Sequence, residues 1–253
     1  MKIKLTFLGT GNSQGVPVIG EEHPVFDSTN PKDKRCRTSA LVAWEGATFV
    51  IDCGPDFRTQ MLTAKLKHID GVLLTHEHAD HTHGIDDLRS FSNINGSVPL
   101  YGQERVLKEL ERRFEYIFDK NKKYPGKPSI TLNLIKNDPF ELKGIKIIPI
   151  MVNHGMLKIF GYRFENVAYL TDVKTIDKIE KEKLKNLDTL VVNCLRITEH
   201  HAHLNLEEAL QLVEELNPKR TYFTHISHLL GFHDEVEKAL PENVFLAYDG
   251  LTI

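Results

Sequence analysis

The sequence predicts a layered α/β fold. Short apolar runs of strand length alternate with segments whose apolar residues recur at helical spacing, and the alternation restarts near the middle of the chain. Side chains of metal-ligand type also stand just past the ends of several apolar runs, where layered α/β folds build their sites.

The elements follow in order. Leu5 to Leu8 reads as a strand running into the turn-rich Gly9-Thr10-Gly11-Asn12. Ser39 to Val42 and Thr48 to Ile51 read as a hairpin around Glu45-Gly46. A helix is expected over Asp56 to Lys67 and a short buried strand over Gly71 to Leu74. Glu104 to Phe118 carries Val106, Leu107, Leu110, Phe114 and Ile117 at helical spacing, which predicts one continuous helix. Ile130 to Leu134, Phe140 to Leu142, Ile145 to Val152 and Phe160 to Phe164 read as strands. Val167 to Leu170 and Thr189 to Val192 follow as buried strands, with a charged helix over Ile176 to Leu187 between them. Asn205 to Leu216 is a helix with Asn205 as its cap, Glu208 in the capping-box position and Asn217-Pro218 as its stop. Thr221 to Phe223 and Val244 to Ala247 close the series. No low-complexity linker divides the chain, so one domain over residues 1–253 is expected.

Composition narrows the function classes. With 41% hydrophobic and 26% charged residues, the 253-residue chain has the make-up of an ordinary soluble globular protein. A formal net charge of -3 does not favour a nucleic-acid partner. Cys36, Cys53 and Cys194 are widely spaced and form no CxxC pair, which suggests a reducing compartment. The N-terminus alternates polar and apolar residues, unlike a signal peptide, and no run approaches the ~18 apolar residues of a membrane span. A cytoplasmic location and no membrane partner are the resulting expectations. The thirteen histidines are unevenly spread, with clusters at His76 to His83, His200 to His203 and His225 to His233.

The first cluster carries the chemistry. His76-Glu77-His78-Ala79-Asp80-His81 directly follows the apolar run Gly71 to Leu74. On an extended segment residues i and i+2 share a face, so His76 and His78 can grip one ion. Asp80 and His81 fall where the chain should turn into a helix and can face a second ion. Imidazole and carboxylate donors suit zinc, manganese or iron. Three further ligand types stand at or just beyond strand ends: His154, Asp172 and His225.

At these residues the chain resembles the metallo-β-lactamase superfamily, whose motif is HxHxDH with a later His, Asp and His. The resemblance spans nearly the whole chain. It implies a four-layer αβ/βα sandwich with mixed sheets. It also implies two divalent ions, with His76, His78 and His154 on one, Asp80, His81 and His225 on the other, and Asp172 bridging. Gly9 to Gly20, Arg35 to Leu41, His203-Leu204, Leu206 to Leu210 and Thr224 to His228 are similar to the PhnP-like cyclic-phosphate phosphodiesterases within that superfamily. In one respect the chain departs from them. Glu21, His23 and Phe26 stand where the family often carries three cysteines for a structural zinc, and His228 matches that site's fourth ligand.

The implied activity is hydrolysis of a small or cyclic phosphodiester by a hydroxide bridging the two ions. Asp80 would be both a ligand and an orienting group for the nucleophile. His203, ahead of the Asn205 helix, is the expected general acid, with His200 and then His201 as alternatives. Asp52, at the end of Phe49-Val50-Ile51, is placed to support a ligand imidazole. Three other functions share the metal motif: transfer-RNA 3′-processing, hydrolysis of a carbon ester or thioester, and non-catalytic binding of a metal or cofactor. The candidate RNA-binding segment is Phe118 to Lys127, with Lys120, Lys122, Lys123 and Lys127 beside Tyr124. A homodimer is compatible with the resemblance, although nothing in the chain demands one.

Overall fold

The computed structural model describes residues 2–119, 121 and 124–253. Lys120, Lys122 and Lys123 of the lysine-rich segment lie outside the described residues. The chain divides into two compact units, one of residues 1–8, 39–136 and 252–253, the other of residues 9–38 and 137–251. Each is built on its own mixed sheet.

The first unit holds a six-stranded sheet in the order β1 (Lys4–Gly9), β2 (Ser39–Trp44), β3 (Ala47–Ile51), β4 (Gly71–Leu73), β5 (Val98–Gly102), β6 (Ile130–Leu134). β2 and β3 pair antiparallel, and β3 to β6 run parallel. The β2–β3 turn places Glu45 and Gly46 at φ 43° and 86°. Two successive positive φ values are what a tight two-residue hairpin loop requires. The helices are α1 (Phe57–Thr63), α2 (Ala79–Thr82), α3 (Arg89–Asn95), α4 (Glu104–Arg113) and α5 (Glu115–Phe118). The buried faces of α1 and α4, with Phe57, Met61, Val106 and Leu110, share a core with Val50, Val72, Leu74 and Leu100.

The second unit holds a seven-stranded sheet ordered β13-β12-β11-β10-β9-β8-β7, with β7 (Phe140–Leu142), β8 (Ile145–His154), β9 (Leu157–Phe164), β10 (Val167–Tyr169), β11 (Thr189–Asn193), β12 (Arg220–Thr224) and β13 (Val244–Leu246). β10 to β13 are parallel, while β7 to β10 pair antiparallel. Leu190, Val191 and Val192 are all fully buried, the unbroken apolar run expected of a strand covered on both faces. The helices here are α6 (Lys178–Glu182), α7 (Leu206–Leu216) and α8 (His233–Ala239). Ala209, Leu212 and Val213 of α7 join Ile150, Leu170, Val192 and Phe223 in the core.

Three helices differ from expectation. The segment Glu104 to Phe118 breaks into α4 and α5 because Phe114 leaves helical geometry, at φ −111° and ψ 42°. α1 stops at Thr63, and Lys65 reverses the chain with φ 53°. α6 covers only Lys178–Glu182 of the expected Ile176 to Leu187. Val98–Gly102, α3 and α8 are elements that periodicity did not disclose, since each is short.

Candidate metal centre

In the first unit the HxHxDH segment begins at His76, with Leu74 and Thr75 between it and the end of β4. Thr75 and His76 are fully buried, and α2 then starts at Ala79. The segment is organised by one carboxylate. Asp52 follows β3 in the left-handed region, at φ 61°, a conformation that costs energy for a non-glycine residue and clusters at functional positions. Its Oδ1 accepts the Thr75 backbone N–H at 2.8 Å, and its Oδ2 accepts the Thr75 hydroxyl at 2.8 Å and His81 Nδ1–H at 2.6 Å. The Thr75 hydroxyl has spent its proton on Asp52, so it accepts from His76 Nδ1, 2.9 Å away. Both His76 and His81 are thereby set in the tautomer that leaves Nε2 as a donor of electrons.

Those nitrogens face ligand-type atoms. His76 Nε2 lies 2.9 Å from His78 Nδ1, and His81 Nε2 lies 3.1 Å from Asp80 Oδ2. Imidazole nitrogens and a carboxylate in this arrangement form a donor set that fits a divalent cation. Burial pushes the Asp52 carboxyl up, and the pull of His81 and the Thr75 hydrogen bonds works against that rise.

Backbone packing fixes the loop. Cys53 N donates to the His81 carbonyl at 2.8 Å, and the Thr82 hydroxyl donates to the His78 carbonyl at 2.9 Å. Gly54 lies so close that a Cβ there would overlap the Asp80 carbonyl oxygen. Sequence reasoning missed Thr75 and Gly54. The only available signals were a hydroxyl directly before His76 and a glycine directly after Asp52-Cys53.

In the second unit His154 is the last residue of β8, while Asp172 and His225 follow β10 and β12. Both of the latter are left-handed, with φ 57° and 54°. Asp172 Oδ1 lies 3.0 Å from His203 Nε2 and 3.2 Å from His225 Nε2, and its Oδ2 accepts the Thr171 hydroxyl at 2.6 Å. The His203 ring stacks on His225 at 4.9 Å and meets His154 edge-on at 4.6 Å. One ligand atom from each of His154, Asp172 and His203 lies within 4.8 Å of the others, a group that could hold a metal ion. His154 Nδ1 is tied to the Ala202 carbonyl at 2.9 Å.

Of the alternatives to His203, His200 is the nearer, its Nδ1 lying 3.0 Å from His203 Nδ1. Burial first, then the neighbouring His203 and His201, pushes the His200 imidazole down to about 4. His201 is exposed and its ring meets His200 at 4.3 Å. At the place of the family's cysteines, His23, Phe26 and His228 form a cluster of ring contacts 4.8 to 5.7 Å apart. Glu21 lies 3.5 Å from His228 Nε2. His23 Nδ1 accepts from the Val25 N–H, so this ring caps a short turn.

Among the described residues, no helix is long and apolar enough to cross a membrane. Residues 47–226 match the β-lactamase superfamily domain. A crystal structure described as a new diphosphatase from the PhnP family is 41% identical over 100% of this chain and 97% of that one, with a TM-score of 0.93. An octanoyltransferase of Porphyromonas gingivalis is 38% identical over 98% of this chain. A ribonuclease Z of Bacillus licheniformis is 26% identical over 75%. The chain spans 51% of that octanoyltransferase and 60% of that ribonuclease Z. With the two mixed sheets and their helices, these matches show the metallo-β-lactamase fold. The chain therefore belongs to the metallo-β-lactamase superfamily and, within it, to the PhnP family.

Proposed function

We propose that the protein is a metal-dependent phosphodiesterase acting on small or cyclic phosphodiesters. Its proposed ligands for two divalent ions, zinc or manganese with iron as a third choice, are His76, His78, Asp80 and His81 in the first unit. In the second unit they are His154, Asp172 and His225. When bound, such ions acidify a water and neutralise charge on a phosphoryl group.

The chain's own contribution is to orient ligands and to deliver a proton. Asp52 and Thr75 hold His76 and His81 in one tautomer. Asp80 would be a ligand and would also orient the nucleophile. The observation that carries the reading is the setting of His203. His200 Nδ1 accepts the Ala202 N–H at 3.2 Å, so it carries no proton, and its one lone pair is shared with His203 Nδ1 at 3.0 Å. His203 Nε2 faces the Asp172 carboxylate. Both ring nitrogens thus meet acceptors, which suits the doubly protonated imidazole that a general acid must be. A departing alkoxide would take its proton from this ring.

A second reading has specific support. The relative that is 41% identical over nearly its whole length is described as a diphosphatase, which favours a phosphoanhydride over a simple diester as the bond cut.

The test pairs metal content with hydrolysis of bis-(p-nitrophenyl) phosphate. Wild type should turn over when metal-loaded and stop on chelation. His203→Ala should lose roughly 10²-fold or more in kcat with metal content unchanged. Unchanged turnover removes His203 from the chemistry, and an inert metal-loaded wild type ends the phosphodiesterase reading.

A further inference from the structure

Beside the HxHxDH segment, within the first unit, lies a cleft of about 700 Å³ lined by His78, Ala79, Asp80, His83, Arg113 and Phe114. A neighbouring cleft of about 680 Å³ shares His78 and Arg113 and adds Arg105, Lys108 and Arg112 together with Glu77, Glu104 and Glu109. The side of α4 nearest the proposed ligands is therefore rich in cations. Most of them are committed: Arg105 pairs with Glu77, Lys108 with Glu104, and Arg112 with Glu109.

Arg113 differs in how it is held. Its Nε donates to Glu109 Oε1 at 2.7 Å, and its Nη1 donates to the carbonyl of Glu77, the residue between His76 and His78. Two bonds from different nitrogens, Nε and Nη1, fix the guanidinium plane. Nη2 has no protein partner among the described residues, and the side chain keeps 27% exposure. A guanidinium that is oriented in advance, with donors left over, is what phosphate recognition uses, because little rotamer freedom is lost on binding. In the same cleft the His83 and Phe114 rings meet edge to face at 5.9 Å and add aromatic surface to its lining.

We propose that this cleft holds the part of the substrate beyond the reacting phosphorus, with Arg113 pairing a second phosphate and Phe114 and His83 packing against the organic group. The ligand class is an organic diphosphate, such as a nucleoside diphosphate. The inference rests on the phosphoryl-hydrolase reading of the same centre and selects among its substrates.

A purely supporting role for Arg113, propping the loop through the Glu77 carbonyl, would affect every substrate alike. The experiment therefore compares ADP, which carries the second phosphate, with bis-(p-nitrophenyl) phosphate, which does not. Arg113→Ala should raise KM for ADP about tenfold or more and leave kcat and KM for the diester within about twofold. Arg113→Lys, which keeps charge without the fork, should fall between. Phe114→Leu should weaken ADP and spare the diester. Binding of ADP to wild type and Arg113→Ala, measured by calorimetry, reads the cleft without turnover and should show the same loss. Equal effects on both ligands, or none on ADP, overturn the proposal. If wild type binds ADP through Arg113 yet hydrolyses neither compound, the cleft stands and the hydrolytic reading fails.

Discussion

Asp52 Oδ2 accepts a hydrogen bond from His81 Nδ1 at 2.6 Å, with both side chains almost wholly withdrawn from solvent. One carboxylate, set at a left-handed backbone position, thereby governs two imidazoles, His81 directly and His76 through the Thr75 hydroxyl. Asp52→Asn removes the charge that favours the proton on Nδ1 while nearly preserving shape. Metal affinity should fall about 10- to 100-fold, as read by competition with a chelating dye. Unaltered affinity would show that the two rings need no carboxylate to stay in register.

Gly54 is expected to tolerate no side chain. A Cβ there would collide with the Asp80 carbonyl, and because the obstacle is backbone it cannot rotate aside. Gly54→Ala should shift α2 and lose metal, at a cost of about 1–3 kcal/mol in stability. Thermal melting with and without added metal checks this, and a variant that melts and binds metal like wild type refutes the steric argument.

His233 makes stability depend on pH. It is fully buried, and its Nδ1 lies 3.1 Å from an Arg35 nitrogen, which can only donate. Burial first, then Arg35, pushes the imidazole from 6.5 down to about 4, with Lys32 adding to the fall and Glu237 and Asp234 opposing it. Between those values the unfolded chain binds more protons than the folded one. This contribution to stability is therefore complete above about pH 6.5 and lost as pH falls toward 4. His233→Gln should flatten the melting temperature across that window, and an identical slope would place the acid sensitivity elsewhere.

Asn205 caps α7 through a reciprocal pair. Its Oδ1 accepts the Glu208 N–H at 2.9 Å, and its own N–H donates to Glu208 Oε2 at 3.0 Å. Asn205→Ala should cost about 1 kcal/mol, which for a chain of this size lowers the melting temperature by about 2–4 °C. A melting temperature equal to wild type would mean that the helix start is held by packing alone.

The elements that could be read from the chain are those with a local cause. The α7 cap follows from Asn205 and Glu208 three residues apart, and the β2–β3 turn follows from Glu45-Gly46. Buried parallel strands such as β11 announce themselves as apolar runs. The break at Phe114 left no local mark, because its apolar spacing continues smoothly through Arg113 into α5 while the backbone does not.

The ligand types and their order were fixed by the sequence itself: HxHxDH after one apolar run, then His154, Asp172 and His225 at or past the ends of others. Asp52 could be read from the chain as a support for some ligand imidazole, and the folded chain decided which rings it directs. Asp52 stands 29 residues from His81 along the chain, and yet the two side chains meet at 2.6 Å. Asp172 likewise meets His203 31 residues away. Such pairings depend on which strand ends lie side by side, a matter of sheet order that no local pattern encodes. The same holds for Arg113, whose fixed plane depends on a carbonyl 36 residues earlier.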